Sequence, residues 1–244
     1  MSERFPQLFW GMIALAVGLV AASALTAGAV KNIRRADDEI QVTGSARRPI
    51  RSDFVVWRLS ATSQAPTLQE ASASLGGHSQ RILAFLRQNT VADSVLTMRA
   101  VETEPVYRML ETGATTGEIV GYRLTQRFEV RSTDVNGVTA LTQRANALIN
   151  EGVPLVSPAP EYLYTRLAEV RTQMLADATE DARRRAEAIA TSVGSEIGGV
   201  RSARMGVFQI TPRNSTEVSD YGINDTSSLE KDITAVVRVT FSLE

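Results

Sequence analysis

Hydrophobic residues recur along this chain in three rhythms, and each rhythm predicts a different element. The clearest has a period of two. Ile233, Ala235, Val237, Val239, Phe241 and Leu243 alternate to the C-terminus, the pattern of a strand with one buried face. Val55, Trp57, Leu59 and Ala61 alternate in the same way over residues 54–62. Over residues 118–131, Val120, Tyr122, Leu124, Phe128 and Val130 share one face, and Arg123, Thr125, Arg127 and Glu129 share the other. The second face of that strand is therefore expected to be wet or to meet a partner. Shorter extended segments are predicted at residues 40–44, 95–106 and 200–210. Residues 153–164 are also read as extended, but irregular, because Pro154, Pro158 and Pro160 lack an N–H for a ladder.

The second rhythm is helical. After Pro66, Thr67 can cap a helix and Glu70 stands three residues on, a capping box. Leu68, Ala71, Leu75, Ile82, Phe85 and Leu86 keep helical spacing to about residue 88. Gly76-Gly77 interrupts it, predicting close packing or a kink at roughly 1 kcal/mol per glycine. Asp134 is placed to cap a short helix through Val138, Leu141, Ala145 and Leu148, ending near Gly152. The longest helix is predicted over residues 164–193. Its apolar line is Leu167, Val170, Met174, Ala178, Ala182, Ala186, Ile189 and Val193, with Glu180–Arg184 and Asp181–Arg185 as (i, i+4) pairs on the wet side and Gly194 as its stop.

The third rhythm is no alternation at all. Residues 8–30 hold Leu8, Trp10, Ile13, Leu15, Val17, Leu19, Val20, Leu25 and Val30 and no ionisable side chain. As a helix this run is about 34 Å long, close to a bilayer's hydrocarbon thickness. Residues 1–30 are therefore read as a transmembrane signal anchor and 31–39 as a polar linker. The length of the run and Trp10 near its start favour retention. Cleavage is the alternative, since Ala22-Ser23-Ala24 and Ala27-Gly28-Ala29 both fit the small-x-small rule. Lys31, Arg34 and Arg35 follow the run, a cue that taken alone puts the C-terminal side in the cytoplasm.

The order of elements predicts an α+β fold. Two strand–helix–strand–strand units, at about 40–131 and 134–244, each pair a sheet with a long covering helix after the N-terminal transmembrane helix.

Composition narrows the function. Charged residues are 22% and hydrophobic ones 43%, ordinary for a chain with a core. The net charge of −1 gives no footprint for nucleic acid. Cysteine is absent and there is one histidine. Disulfides, thiolate metal sites and cysteine nucleophiles are excluded, and a Ser-His-Asp triad or multi-histidine metal site has little material. No catalytic, cofactor-binding or metal-ligating residues are assigned, and no cofactor is expected.

The remaining candidates read as structural. His78 falls near the Ala71/Phe85 stripe with no second histidine beside it. Tyr107, Tyr122, Tyr162 and Tyr164 could form an aromatic surface, but such residues more often pack. Arg183-Arg184-Arg185 is flanked by Glu180, Asp181 and Glu187, the mark of an ion-paired helix face. Asp37-Asp38-Glu39 lacks the loop geometry of a calcium site.

Four segments together carry a family resemblance: Ile40-Gln41-Val42-Thr43-Gly44, the helix start at Glu70-Ala71, Ile119-Val120-Gly121-Tyr122 with its alternating continuation, and the alanine-rich helix of residues 181–190 running into Gly194 and Ile197-Gly198. In this order and spacing the chain resembles the SIMPL domain (DUF541) proteins over residues 40–244. The resemblance implies a bacterial envelope protein, oligomeric rings or hollow assemblies, and a loose link to oxidative stress. It supplies no catalytic residues. The long apolar run departs from exported soluble members and implies a tethered version.

The resulting expectation is a single-pass inner-membrane protein with its C-terminal domain in the periplasm, or a cleaved periplasmic form. Its partners are copies of itself and, through the anchor, the lipid bilayer. An alternative is an envelope ligand- or partner-binding module using the loop at 211–231 or 110–117. A hydrolase built on paired carboxylates is the third class, and no convergent polar cluster in the sequence supports it.

Overall fold

The computed structural model describes residues 9–13, 15–19, 22–23 and 38–244. The three short N-terminal stretches are helical, and Trp10, Ile13, Leu15, Val17 and Leu19 within them are exposed. Leu8, Val20, Leu25 and Val30 of the expected anchor, and most of the linker, lie outside the described residues. No helix among the described residues is long and apolar enough to cross a membrane.

The rest is α+β, in two compact units interleaved along the chain. One comprises Arg48–Glu169 and Gln209–Ile233. Its sheet runs β3–β5–β2–β6, from β2 (Phe54–Ala65), β3 (Leu96–Met98), β5 (Thr115–Ser132) and β6 (Leu155–Val156). β4 (Glu102–Met109) pairs with β5, and β7 (Glu161–Leu163) pairs with β2. The alternation in β2 does what period two requires. Val55, Trp57, Leu59 and Ala61 are all buried. They pack with Leu124, Phe128 and Val130 of β5 under α1 (Leu68–Gln88), whose Ala71, Leu75, Ile82 and Leu86 face them.

Thr67 caps α1 as expected, accepting the Glu70 N–H at 3.3 Å. The helix is continuous through Gly76 and Gly77. Both are exposed, and a Cβ built on either meets nothing within 4 Å. The expected interruption for packing is thus corrected. Asp134 caps α2 (Val135–Arg144) by accepting the Gly137 N–H at 2.9 Å, and α3 (Ala147–Asn150) ends at Gly152, whose φ is +79°.

The other unit comprises Val170–Phe208, Thr234–Glu244 and the described N-terminal residues through Arg47. Its sheet runs β1–β10–β8, from β1 (Glu39–Arg51), β10 (Glu230–Leu243) and β8 (Ile197–Met205); β9 (Gln209–Pro212), which falls among the first unit's residues, also pairs with β10. α4 (Leu167–Ser192) buries Met174, Ala178, Ala182, Ala186 and Ala190. Ile189 and Val193, read as the end of the apolar line, are exposed, and Ala190 takes their place. The reason is angular: from Ala186 the four-residue step reaches Ala190, whereas the three-residue step rotates Ile189 away from the sheet.

The two sequential units expected at 40–131 and 134–244 are rearranged. β1 pairs with the C-terminal strand β10 and not with β2. Alternation reveals which face of a strand is buried but not its neighbour, because strand pairing is long-range. Each sheet does carry one long helix, as anticipated.

Candidate functional site

Two features of the first unit stand out from ordinary packing. The first is a β ribbon. β5 pairs with β2 only up to Tyr122 opposite Ala65. Its remaining seven residues, Thr115 to Gly121, run past the end of β2 with β4 alone beside them. Val120, predicted to face the core, is 41% exposed on this stretch beyond the end of β2. Tyr107, Met109, Leu110 and Ile119 on the same ribbon are exposed as well. The turn between β4 and β5 closes by Leu110 N–H donating to Ala114 C=O at 2.8 Å, with Gly113 at φ +82°. Only glycine takes that φ without steric cost. A two-stranded hairpin is marginal by itself in water, and this one presents apolar side chains and an unpaired edge.

The second feature is the outer face of the same sheet, opposite α1. Cross-strand register sets Arg58 against Glu129, Ser60 against Arg127 and Thr62 against Thr125. The segment predicted as one strand over 95–106 is split here. Met98 stands opposite Phe128, and Glu102 stands opposite Thr125. Three residues, Arg99 to Val101, therefore span the place of two on β5, which is a bulge. The extra residue reverses the alternation. Arg99 and Glu102, three apart in sequence, consequently line the same cleft as Arg58, Arg127 and Glu129. The Gln126 side-chain amide donates to the Arg99 carbonyl and holds the bulge.

At the centre sits Glu129, with its side chain only 7% exposed. It accepts from Arg58 Nε at 3.1 Å and from Arg131 Nε, and Arg99 Nη2 lies 3.7 Å away. Burial pushes the Glu129 carboxyl upward, but hydrogen bonds from Arg131 and Arg58 outweigh it and hold the group below the usual carboxylate range. Arg58 is raised further by its hydrogen bonds to Glu161 and Glu129. Arg127 pairs with Glu102. Sequence reading put Arg127 and Glu129 on a wet face but missed Glu129 as a buried hub. The signal available was an acidic residue between two arginines at period-two spacing.

A separate buried group organises the loop expected at 211–231. Lys231 is buried, and its Nζ donates to the Tyr162 carbonyl at 2.7 Å and to the Asp225 carbonyl. Burial lowers its pKa, partly offset by the Asp225 charge. Asp225 in turn accepts from Ser227 and Ser228. The loop is thus tied down at its base, while Val218 and Tyr221 at its tip are among the most exposed apolar residues described.

The other sequence candidates are not gathered into a site. Tyr162 is buried with its hydroxyl 3.0 Å from Thr139 Oγ1, whereas Tyr107 lies on the ribbon and Tyr164 stacks near Arg166. Half-buried His78 has an unpartnered, buried Nδ1. Arg183, Arg184 and Arg185 pair with Glu187, Glu180 and Asp181 on the α4 surface. Asp38 accepts the Leu243 N–H through its backbone, Glu39 opens β1, and Asp37 lies outside the described residues. Among the described residues no group of three or more acidic or histidine side chains is placed to hold a metal.

The model of a family described as SIMPL, protein of unknown function (DUF541), matches residues 40–241. The chain belongs to the SIMPL family. The match takes in β1 through β10, so both units and the ribbon belong to the SIMPL region. None of the curated proteins matches the chain. Among solved structures, it is similar at 14% identity to an amidase of the hydantoinase/carbamoylase family from Burkholderia phymatum, over 55% of this chain and 35% of that one, with a TM-score of 0.30. The de novo designed protein Foldit4 aligns at 13% identity over 43% of this chain and 93% of its own, with a TM-score of 0.24. CutA from Synechococcus elongatus PCC7942 aligns at 14% identity over 54% of this chain and 96% of its own, with a TM-score of 0.19. Likenesses this low carry no argument about what the SIMPL chain does.

Proposed function

We propose that this SIMPL protein is a membrane-tethered component of the bacterial envelope that works by assembling with copies of itself into a ring or cage, without catalysis. The observation that carries the reading is the β4–β5 ribbon. Its seven-residue stretch of β5 has no strand on one side, and it exposes Tyr107, Met109, Leu110, Ile119 and Val120. A chain that leaves such an edge bare is exposed to aggregation unless a partner covers it. A second copy supplies a matching edge at no cost in sequence. The apolar run of residues 8–30 supports single-pass tethering in the inner membrane with the body in the periplasm, the cleaved periplasmic form being the alternative.

The test is the mass of the full-length protein in detergent, wild type against Ile119→Lys. The wild type is expected to run as a discrete oligomer, and the variant as a folded monomer by mass photometry and circular dichroism. A wild type that stays monomeric at high concentration overturns assembly. An unchanged mass for Ile119→Lys overturns the role of the ribbon. Protease treatment of spheroplasts carrying the full chain checks the topology, because a periplasmic body is digested and a cytoplasmic one is protected.

One observation favours a second reading, an envelope binding module. Tyr221 is 96% exposed at the tip of a loop whose base is fastened by Lys231. If partner capture is lost on deleting residues 217–222 while the oligomer survives, that reading takes precedence.

A further inference from the structure

The charged outer face of the β2–β5 sheet carries a cleft of about 460 Å³, a volume suited to a small ligand. Its lining includes the cationic Arg58, Arg99 and Arg127 and the apolar Val156 and Pro158. Val156 is 58% exposed, on the two-residue strand β6 at the edge of the sheet.

The charges in and around the cleft do not cancel. Arg58, Arg99, Arg127 and Arg131 face Glu102, Glu129 and Glu161, four positive groups against three negative ones. The buried Glu129 engages Arg58 and Arg131 by hydrogen bonds, but Arg99 only at 3.7 Å, beyond hydrogen-bond reach. Arg99 therefore keeps its planar fork of donors for another acceptor. The Arg99 N–H donates to the Arg127 carbonyl at 3.0 Å, so the two residues stand side by side. Arg99 follows Met98, the partner of core-facing Phe128, so alternation turns it to this face, and the bulge at Arg99 to Val101 brings Glu102 there as well.

We propose that this cleft binds the carboxylate of a small organic acid, with the carboxylate on the Arg99 and Arg127 guanidinium groups and the apolar body against Val156 and Pro158. A single surplus positive charge matches a monoanion. A dianion such as phosphate meets the carboxylates of Glu129 and Glu102, and a cation meets the arginines. Glu129 acts as a positioning residue: it fixes Arg58 and Arg131 from beneath and leaves Arg99 available. The site is independent of self-assembly, since none of its residues lies on Thr115 to Gly121.

The experiment is a calorimetric titration of the full-length protein in detergent with benzoate, and separately with inorganic phosphate. Saturable benzoate binding is expected at or below about 10 mM. Arg99→Gln and Arg127→Gln are each expected to weaken it about tenfold or more while leaving the circular dichroism spectrum unchanged. Val156→Asp, at an exposed position, is expected to weaken benzoate by a similar factor. No saturation by wild type at that concentration overturns the proposal, as does undiminished binding in Arg99→Gln. Phosphate binding tighter than benzoate overturns the assignment to carboxylates. Ile119→Lys should bind benzoate as wild type does, so failure of assembly and failure of this site are told apart.

Discussion

The two units solve the same problem, a helix on a sheet, with different side chains. In the Arg48–Glu169 unit, α1 meets β2 and β5 through Leu75, Ile82, Leu86, Trp57 and Phe128, all at most 3% exposed. In the other unit, α4 presents Ala178, Ala182, Ala186 and Ala190. There the sheet answers with Gly44 of β1. A Cβ built on Gly44 lies 2.1 Å from the Ala178 carbonyl oxygen and 2.4 Å from the Ala182 nitrogen, so strand and helix backbones touch directly. The Ser45 N–H then donates to Asp181 at 2.9 Å and fixes the same crossing. Large side chains bury more area per contact and leave room to repack. Backbone-to-backbone packing buries less and tolerates no added atom.

The largest expected effect follows from that difference. Gly44→Val forces strand and helix apart and is expected to destabilise by about 4 kcal/mol or more. Ile82→Ala, the matched insult to the other unit, leaves a cavity and costs about 2–5 kcal/mol. Denaturant unfolding followed by circular dichroism measures both. A Gly44→Val protein as stable as wild type breaks the comparison.

A smaller effect separates the wet face of the β2–β5 sheet from its core. The folded Glu129 carboxyl titrates below its unfolded value. Its contribution is therefore fully present above the ordinary carboxylate pKa and is lost as pH falls through the depressed folded value. Glu129→Gln is expected to remove about 1–3 kcal/mol at neutral pH and to flatten the loss of stability on acidification. Paired denaturation curves at neutral pH and near pH 4 test this; a variant with the wild-type acid slope contradicts it.

The smallest effect has the opposite sign. Gly76→Ala adds a methyl in open space on a continuous helix. A gain of about 0.5–1 kcal/mol is expected, read as a higher midpoint in the same denaturation experiment. A loss would show that the glycine pair packs against something, as the sequence had suggested.

Local chemistry was readable in advance where the cause is local. The Thr67 and Asp134 caps, the inward faces of β2 and β10, and the ion-paired arginines of α4 all follow from spacing within one element. The candidate site was half readable. Alternation put Arg127 and Glu129 on a face away from the core. It did not reveal that Glu102 joins them, because a one-residue bulge reverses parity between Arg99 and Glu102. Nor did it show that β5 outruns β2, since strand length is legible but the partner's end is not.

The sequence alone determined the α+β class, the helices with their caps, which face of each strand goes inward, and membership of the SIMPL family. These rest on periodicity and on side chains bonding to nearby backbone. Only the tertiary structure decided that β1 belongs with β10, that Gly44 lies against Ala178, and that three arginines converge around one buried carboxylate. Those are contacts between residues far apart in the chain. Their choice is made by the shape and register of the assembled sheets, which no local pattern encodes.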